Sequence, residues 1–318
     1  MKEIYISDLK KDMEITEFFM VRSITVKTGS TGKYYLDVTL FDKTGEISAK
    51  KWEVAPPDEL IKEKDMVKVL GLVTEFNGQN QLRIQRIRKL SEEEERLNID
   101  KADFIKAAPE NPVEMYNYIM DVAMNLEDAD LKNICIKVLQ DNQDKLMYYP
   151  AASKNHHAEF AGLLYHMKRM LMNGARVCDV YEFLNRDLVL AGVILHDIEK
   201  ITEILSDEDG VSSGYSFEGQ MLGHLVMGVK YIDRLGTELN IPEEKKIMLE
   251  HMSLSHHYEP EFGSPKKPLF PEAEVLHYLD ILDAKMFDME QALELTNPGT
   301  FSERIWTLDN RRIYKPEE

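Results

Sequence analysis

The sequence predicts a multidomain protein in which an all-β barrel is followed by an all-α domain. Residues 13–90 alternate short β-branched and aromatic runs with turn signals, a pattern typical of strands. From about residue 113 onward, apolar residues recur at helical spacing and strand signals are few. Charge divides in the same way, because residues 1–90 hold 16 Lys and Arg against 14 Asp and Glu, whereas the rest of the chain holds 23 against 43. The net charge of −18 therefore belongs to the second part, and the near-neutral first part can carry a local basic face.

The strand pattern of the first part indicates a specific kind of barrel. Turn sequences at residues 28–32, 42–45 and 77–80 separate most of the strands. Between the third and fourth strands, residues 56–63 are compatible with a short helix. Five strands with a helix after the third is the order of an OB-fold, a small Greek-key barrel that often binds oligonucleotides. The predicted strands are residues 18–27, 33–41, 46–52, 66–76 and 81–90.

One face of the barrel is predicted to bind single-stranded nucleic acid. Alternation along the second strand turns Leu36 inward and therefore turns Tyr35 and Phe41 outward. With Trp52 and Arg83, these rings would combine base stacking with phosphate contacts. The alternative is that the aromatic side chains only cover the ends of the barrel.

The chain divides into four predicted parts, and a charge run at residues 91–96 marks the first boundary. No stretch approaches the roughly 20 apolar residues that a membrane span needs, so we expect no membrane contact and a cytoplasmic location. Cys135 and Cys178 are too few for a disulfide framework. The parts are an OB-fold domain at 1–90, a helical connector at 91–112, a second domain at 113–298 and a C-terminal tail at 299–318.

All nine histidines lie in the predicted helical domain. His196 and Asp197 end the apolar run at residues 188–195, and burying an imidazole beside a carboxylate is costly unless something pairs with both. A divalent metal is one such partner. However, adjacent helical residues point about 100° apart and can also cap or form salt bridges separately, and a single histidine is more often a surface or core residue. The order of candidate ligands is His166, His196-Asp197, His224, His256-His257 and Asp280.

This order resembles the HD superfamily of metal-dependent phosphohydrolases, over roughly residues 150–290. The resemblance implies an all-helical HD domain with two metal sites that share Asp197. Imidazole and carboxylate ligands suit Mn²⁺, Fe²⁺, Co²⁺ and Zn²⁺, so ligand type alone does not choose among them; we expect two Mn²⁺ ions. One site would consist of His166, His196, Asp197 and Asp280, and the other of Asp197, His224, His256 and His257.

The resemblance also implies hydrolysis of a phosphoester by a metal-activated hydroxide. Asp197 and Lys200 would be the catalytic residues, since Lys200 matches a lysine in the superfamily's His-Asp-x-Gly-Lys form and would contact a phosphate oxygen. Glu199 stands where that form has glycine. His156 and His157 would contact the substrate phosphate, with helix capping or surface exposure as the alternative.

With the barrel upstream, the chain is similar to the YhaM family of bacterial 3'-to-5' exoribonucleases over almost its whole length. Stretches that carry this similarity are residues 41–47, 162–166, 195–197, 254–257, 279–286 and 305–312. The similarity implies Mn²⁺-dependent release of nucleoside 5'-monophosphates from the 3' end of single-stranded RNA, with single-stranded DNA as a further substrate and a homo-oligomer as a compatible assembly. Arg311 in the tail would then line the entrance for the strand.

Two other functions stay open at this point. One is an HD hydrolase of a small nucleotide with a regulatory barrel, and the other is a nucleic-acid-binding regulator without catalysis. The upstream barrel favours a strand end over a free nucleotide, and the nearly complete ligand set disfavours the regulator. Among the neighbouring residues, Asp283 is expected to orient a ligand or to bind Lys285, and His251 to support a ligand or to be structural.

Overall fold

The structure is a computed structural model that describes residues 2–29, 32–52, 61–91, 103–152 and 159–317. The chain forms two compact units, Met1–Ala107 and Ala108–Glu318. Most of the predicted helix at 56–63 and most of the charge run at 91–96 lie outside the described residues. Within the described ranges, none of the helices combines the length and the apolar composition that crossing a membrane requires.

The first unit contains a closed β-barrel with OB-fold topology. Around the barrel the order is β1-β2-β3-β5-β4, with β4 returning to β1. Neighbouring strands are antiparallel except for β3 and β5, which are parallel. This arrangement confirms the predicted OB-fold. The strands are β1 (Glu14–Thr28), β2 (Tyr34–Asp42), β3 (Gly45–Trp52), β4 (Met66–Phe76) and β5 (Gln79–Lys89).

Strand β2 shows both a success and an error of the sequence prediction. Val38 and Leu40 lie in the barrel core and Leu36 packs against it, as the alternation predicts. Phe41 was expected to offer an open ring, but its side chain is buried, with 7% exposure, and the Arg22 guanidinium lies 5.4 Å from the ring centroid. A covered ring cannot stack on a base, so Phe41 is corrected from a substrate contact to a packing residue.

The second unit is helical, as predicted, and adds a two-stranded antiparallel sheet that the sequence did not reveal. This sheet consists of β6 (Ile204–Ser206) and β7 (Ser212–Tyr215). The helices are α1 (Pro112–Met124), α2 (Ala129–Asp141), α3 (Gln143–Leu146), α4 (Gly162–Val180), α5 (Arg186–Leu195), α6 (Lys200–Glu203), α7 (Phe217–Glu238), α8 (Glu243–Ser255) and α9 (Pro271–Glu294).

Helix α5 is the centre of the helical unit. Every residue from Leu188 to Leu195 is buried, as expected for a helix that is apolar on all sides. The side chain of Asn185 caps its start by accepting a hydrogen bond from the backbone N–H of Leu188 at 3.1 Å. Helices α1, α2, α4, α8 and α9 pack around it. The residues that follow α5 are therefore held in the interior.

The C-terminal tail is folded against α9. Leu308, in the short 3-10 helix Trp306–Leu308, is fully buried, and this segment contacts α9. The ammonium group of Lys315 donates a hydrogen bond to the carbonyl oxygen of Leu293 near the end of α9, at 2.8 Å. The tail is thus part of the helical unit.

Candidate metal centre

The ends and kinks of helices bring the predicted ligands into one place. His196 and Asp197 directly follow the central helix α5, and each is only 1% exposed. His224 comes directly after Gly223, where α7 is kinked by a non-helical residue with φ 69° and ψ 158°. The remaining ligand candidates are His166 on α4, His256 and His257 at the end of α8, and Asp280 on α9.

The carboxylate of Asp197 faces two different sets of imidazoles. Its Oδ1 lies 3.4 Å from His224 Nε2 and 3.7 Å from His256 Nε2. Its Oδ2 lies 3.3 Å from His196 Nε2 and 3.8 Å from His166 Nε2. One carboxylate therefore connects two groups of nitrogen donors.

The donor atoms of these groups lie close enough to share an ion. Those of His166, His196 and Asp197 are all within 4.8 Å of one another. The same holds for the second group, His224, His256 and His257. Asp280 stands beside the first group, because its Oδ1 is 3.4 Å from His166 Nε2. All seven side chains predicted as ligands are thus brought together.

Hydrogen bonds at Nδ1 orient the imidazoles. Three of them contact backbone carbonyl oxygens, which can only accept, so each Nδ1 carries the proton and each Nε2 keeps its lone pair. This is the tautomer that binds a metal through Nε2. The contacts are His196 to Val193 at 2.9 Å, His256 to Ser253 at 2.8 Å and His257 to Phe262 at 2.8 Å.

Carboxylates orient the other two imidazoles. His166 Nδ1 lies 2.8 Å from Asp283 Oδ2, and the Nε of Arg169 lies 2.7 Å from Asp283 Oδ1. His224 Nδ1 lies 3.1 Å from Glu203 Oε2. The sequence suggested Asp283 as an orienting residue, but Arg169 and Glu203 were missed. The position of Glu203, one turn after the candidate Lys200, is the signal that could have revealed it.

Several polar atoms of this centre are buried without a hydrogen-bond partner among the described residues. They are Nε2 of His196, His224 and His256 and both carboxylate oxygens of Asp197, although Lys200 Nζ lies 2.6 Å from Asp197 Oδ2. Buried polar atoms are normally satisfied. Imidazole nitrogen and carboxylate oxygen are suitable ligands for divalent transition metals. The donor set therefore fits two divalent metal ions.

The electrostatics keep most of these ligands in the form that binds a metal. Burial alone would raise the pKa of Asp197, but Lys200 and His196 hold it well below its usual value. Burial and the neighbouring His257 lower the pKa of His256 well below the ordinary value. For His166, burial lowers the pKa, yet hydrogen bonds to Asp280 and Asp283 and their charges outweigh it and raise the pKa to about 9.

The barrel carries a separate aromatic and basic face. The rings of Tyr35 and Trp52 lie 4.7 Å apart between centroids, and Trp52 is 49% exposed. Lys50 lies two residues before Trp52 on β3, and it is paired in register with the exposed Arg83 of β5. Phe76, which the sequence prediction missed, is 59% exposed, and Lys50 Nζ lies 5.7 Å from its ring centroid. Three of the predicted contact residues, Tyr35, Trp52 and Arg83, are thus on one outer face.

The remaining predicted residues have different positions. Arg311 is exposed in the tail, and its Nε donates a hydrogen bond to the carbonyl oxygen of Leu308 at 2.9 Å. His156 and His157 lie outside the described residues. His251 Nε2 accepts a hydrogen bond from the backbone N–H of Leu269 at 3.0 Å, in agreement with a structural role.

Known proteins resemble this chain over nearly its whole length. The family model of the HD domain matches residues 163–285. Over 304 residues the chain is 40% identical to the 3'-5' exoribonuclease YhaM of Geobacillus sp. (strain WCH70), covering 95% of this chain and 92% of that protein. It is also 40% identical over 304 residues to the 3'-5' exoribonuclease YhaM of Bacillus subtilis (strain 168), covering 95% of each. Among solved structures, the second OB-fold domain of replication protein A from Methanococcus maripaludis matches 28% of this chain and 95% of its own, with 20% identity and a TM-score of 0.24.

Proposed function

Because the chain belongs to the YhaM family of 3'-5' exoribonucleases, we propose that it releases nucleoside 5'-monophosphates from the 3' end of single-stranded RNA at the Asp197 centre. The chain is a hydrolase with an HD domain and an OB-fold. The observation that supports the location of the chemistry is Asp197, whose two oxygens face separate groups of imidazoles.

Two divalent ions, proposed to be Mn²⁺, would be held at this centre. Bound there, they would lower the pKa of a water molecule and stabilise charge on the phosphate. Asp197 would contribute to both sites and keep them at a fixed separation. The first ion would be held by His166, His196, Asp197 and Asp280, and the second by Asp197, His224, His256 and His257.

Lys200 is proposed as the residue that binds the scissile phosphate. Its ammonium group is held 2.6 Å from Asp197 Oδ2, and its side chain is only 11% exposed. Burial lowers the pKa of Lys200, but the charges of Asp197 and Asp280 outweigh this effect and raise it. A permanently charged donor at this position can neutralise a phosphate oxygen as negative charge develops.

The barrel is proposed to bind the strand through the face formed by Tyr35, Lys50, Trp52, Phe76 and Arg83. Stacking and phosphate contacts tolerate any sequence. Neither contact reads the 2'-hydroxyl that distinguishes RNA from DNA. We therefore propose single-stranded DNA as a second substrate. Arg311 is proposed to add a phosphate contact, whereas a homo-oligomeric state and a cytoplasmic location stay predictions.

The substitution Asp197→Asn tests the proposed centre. It removes the charge that both sites share, so 5'-labelled single-stranded RNA incubated with Mn²⁺ should lose its descending ladder of products. The matched control is Asp121→Asn, the same change at an exposed position of α1. An Asp197→Asn enzyme that trims RNA as fast as the parent would show that the chemistry lies elsewhere.

A further inference from the structure

One carboxylate holds the ligand candidate His224 at two points. Glu203 Oε1 accepts a hydrogen bond from the backbone N–H of His224 at 3.0 Å, and Glu203 Oε2 accepts one from the imidazole Nδ1 at 3.1 Å. Both side chains are mostly buried, with 12% exposure each. Two acceptor atoms of one side chain therefore meet two donor groups of one residue.

The local backbone fixes this contact. The kink at Gly223 interrupts α7 immediately before His224, whose backbone N–H bonds to Glu203. At the start of α7, a Cβ atom on Gly219 would lie 2.5 Å from the carbonyl oxygen of Glu203, so the helix packs directly on the Glu203 backbone. The same carbonyl oxygen accepts a hydrogen bond from the backbone N–H of Ser216 at 2.8 Å. Glu203 and the beginning of α7 thus have one fixed relative position.

The double contact selects a tautomer. An ionised carboxylate can only accept hydrogen bonds, so the proton of the neutral His224 imidazole must be on Nδ1. The Nε2 lone pair then points into the centre, where Nε2 lies 3.4 Å from Asp197 Oδ1. A carboxylate behind an imidazole also increases its basicity as a metal ligand.

We propose that Glu203 is a positioning residue that fixes the tautomer and orientation of His224 and so sets the affinity of the second metal site. This inference rests on the metal centre of the proposed function. The Nδ1 atoms of His256 and His257, the other imidazoles of that site, contact backbone carbonyls, so His224 is the imidazole of the site whose Nδ1 is held by a side chain. In the first site, Asp283 stands behind His166 in the same way.

The test is Glu203→Gln in the full-length chain. An amide offers one acceptor and one donor, so one of the two His224 donors loses its partner, or the imidazole proton moves to Nε2 and blocks ligation. Titration of metal-free protein with Mn²⁺, followed by the paramagnetic resonance of free Mn²⁺, should show two sites in the parent. In the variant, one site should be unchanged and the other weakened about 10–100-fold.

The matched control is Glu218→Gln, the same change in the first turn of α7, where Glu218 pairs with the exposed Lys230. It should leave both Mn²⁺ sites as in the parent. Glu203→Asp keeps two acceptor atoms and should bind the second ion more tightly than Glu203→Gln. Equal weakening of both sites, or two unchanged sites in folded Glu203→Gln protein, would overturn the proposal.

A measurement on the parent protein keeps the proposal testable if the Glu203→Gln variant does not fold. The ¹⁵N shifts of the His224 ring in metal-free parent protein should report a proton on Nδ1, and a proton on Nε2 would contradict the proposed role. These measurements contain no RNA. A parent that binds two Mn²⁺ ions but does not degrade RNA would therefore count against the proposed function and leave the role of Glu203 intact.

Discussion

For Lys200 we propose two roles, one in the protein and one toward the substrate. Its ammonium group is buried against Asp197, and removing one partner of a buried ion pair leaves the other charge uncompensated. The same ammonium group, beside the carboxylate that both metal sites would share, is the one proposed to bind the scissile phosphate. Its two roles can be separated by measuring metal content and turnover in the same protein.

The corresponding prediction concerns Lys200→Gln. The amide keeps much of the length of the side chain but has no charge for the developing phosphate oxyanion, so kcat on single-stranded RNA should fall about 10²–10³-fold. The Mn²⁺ content, measured by elemental analysis, should stay at the parental value. Lys230→Gln, on exposed α7 surface, is the control. A fall in kcat matched by an equal fall in metal content would mean that Lys200 acts only through Asp197.

At the scale of single residues, the sequence pointed to the candidate metal ligands but not to most of the side chains that orient them. The order from His166 to Asp280 could be assigned as a candidate ligand set through its resemblance to the HD superfamily, because the sequence carries the histidines and aspartates of that pattern. The position of Glu203 one turn after Lys200 is its only signal in the sequence, because its contact with His224 depends on a helix kink that brings together residues 21 positions apart. The error at Phe41 has a similar cause, since alternation gives the direction of a side chain but not what covers it.

At the scale of the elements, helix α7 is interrupted by one residue with a non-helical backbone conformation. Gly223 adopts φ 69° and ψ 158°, a region that is essentially restricted to glycine. The short sheet β6-β7 connects α6 to α7, and it was not predicted because strands of three and four residues are too short to show a period. The sheet and the kink together determine where His224 lies.

We therefore expect Gly223→Ala to lower the free energy of unfolding of the metal-free protein by about 1–3 kcal/mol, the usual cost of such a backbone conformation in a non-glycine residue. Binding of Mn²⁺ at the second site should weaken as well, because His224 moves with the backbone. Val226→Ala, at a 39% exposed position of the same helix, is the control. Urea unfolding measures both variants. Unchanged stability of Gly223→Ala would show that the kink does not require glycine.

The whole molecule consists of two compact units with different charge, and we propose that one binds the strand and the other carries the chemistry. The fold class of both units could be predicted, since strand alternation and helical stripes extend over many residues. On α1, for example, Tyr116, Ile119 and Ala123 lie at helical spacing and are buried. The aromatic face of the barrel was only partly predicted, because Phe76 becomes part of it through Lys50 on another strand.

A pair of substitutions in the barrel tests this separation. Trp52→Ala should weaken binding of single-stranded RNA by about 1–3 kcal/mol, the contribution of one stacked base, without changing stability. Phe41→Ala should instead lower the free energy of unfolding by about 3–5 kcal/mol, as expected for a buried ring. Fluorescence anisotropy with labelled RNA and urea unfolding distinguish the two effects. Equal losses of RNA affinity at a temperature where both proteins are folded would contradict the assignment of the face.

The ligand candidates are spread between positions 166 and 280 on separate helices and turns. No short fragment can assemble such a set, so the ions would bind the native chain and not the unfolded one. By mass action, each ion present at 100 times its dissociation constant would add about 2.7 kcal/mol to the stability of the fold. Depletion of the metal would then shorten the lifetime of the protein in the cell as well as stop its catalysis. The amount of the protein in the cell would therefore follow the supply of the metal.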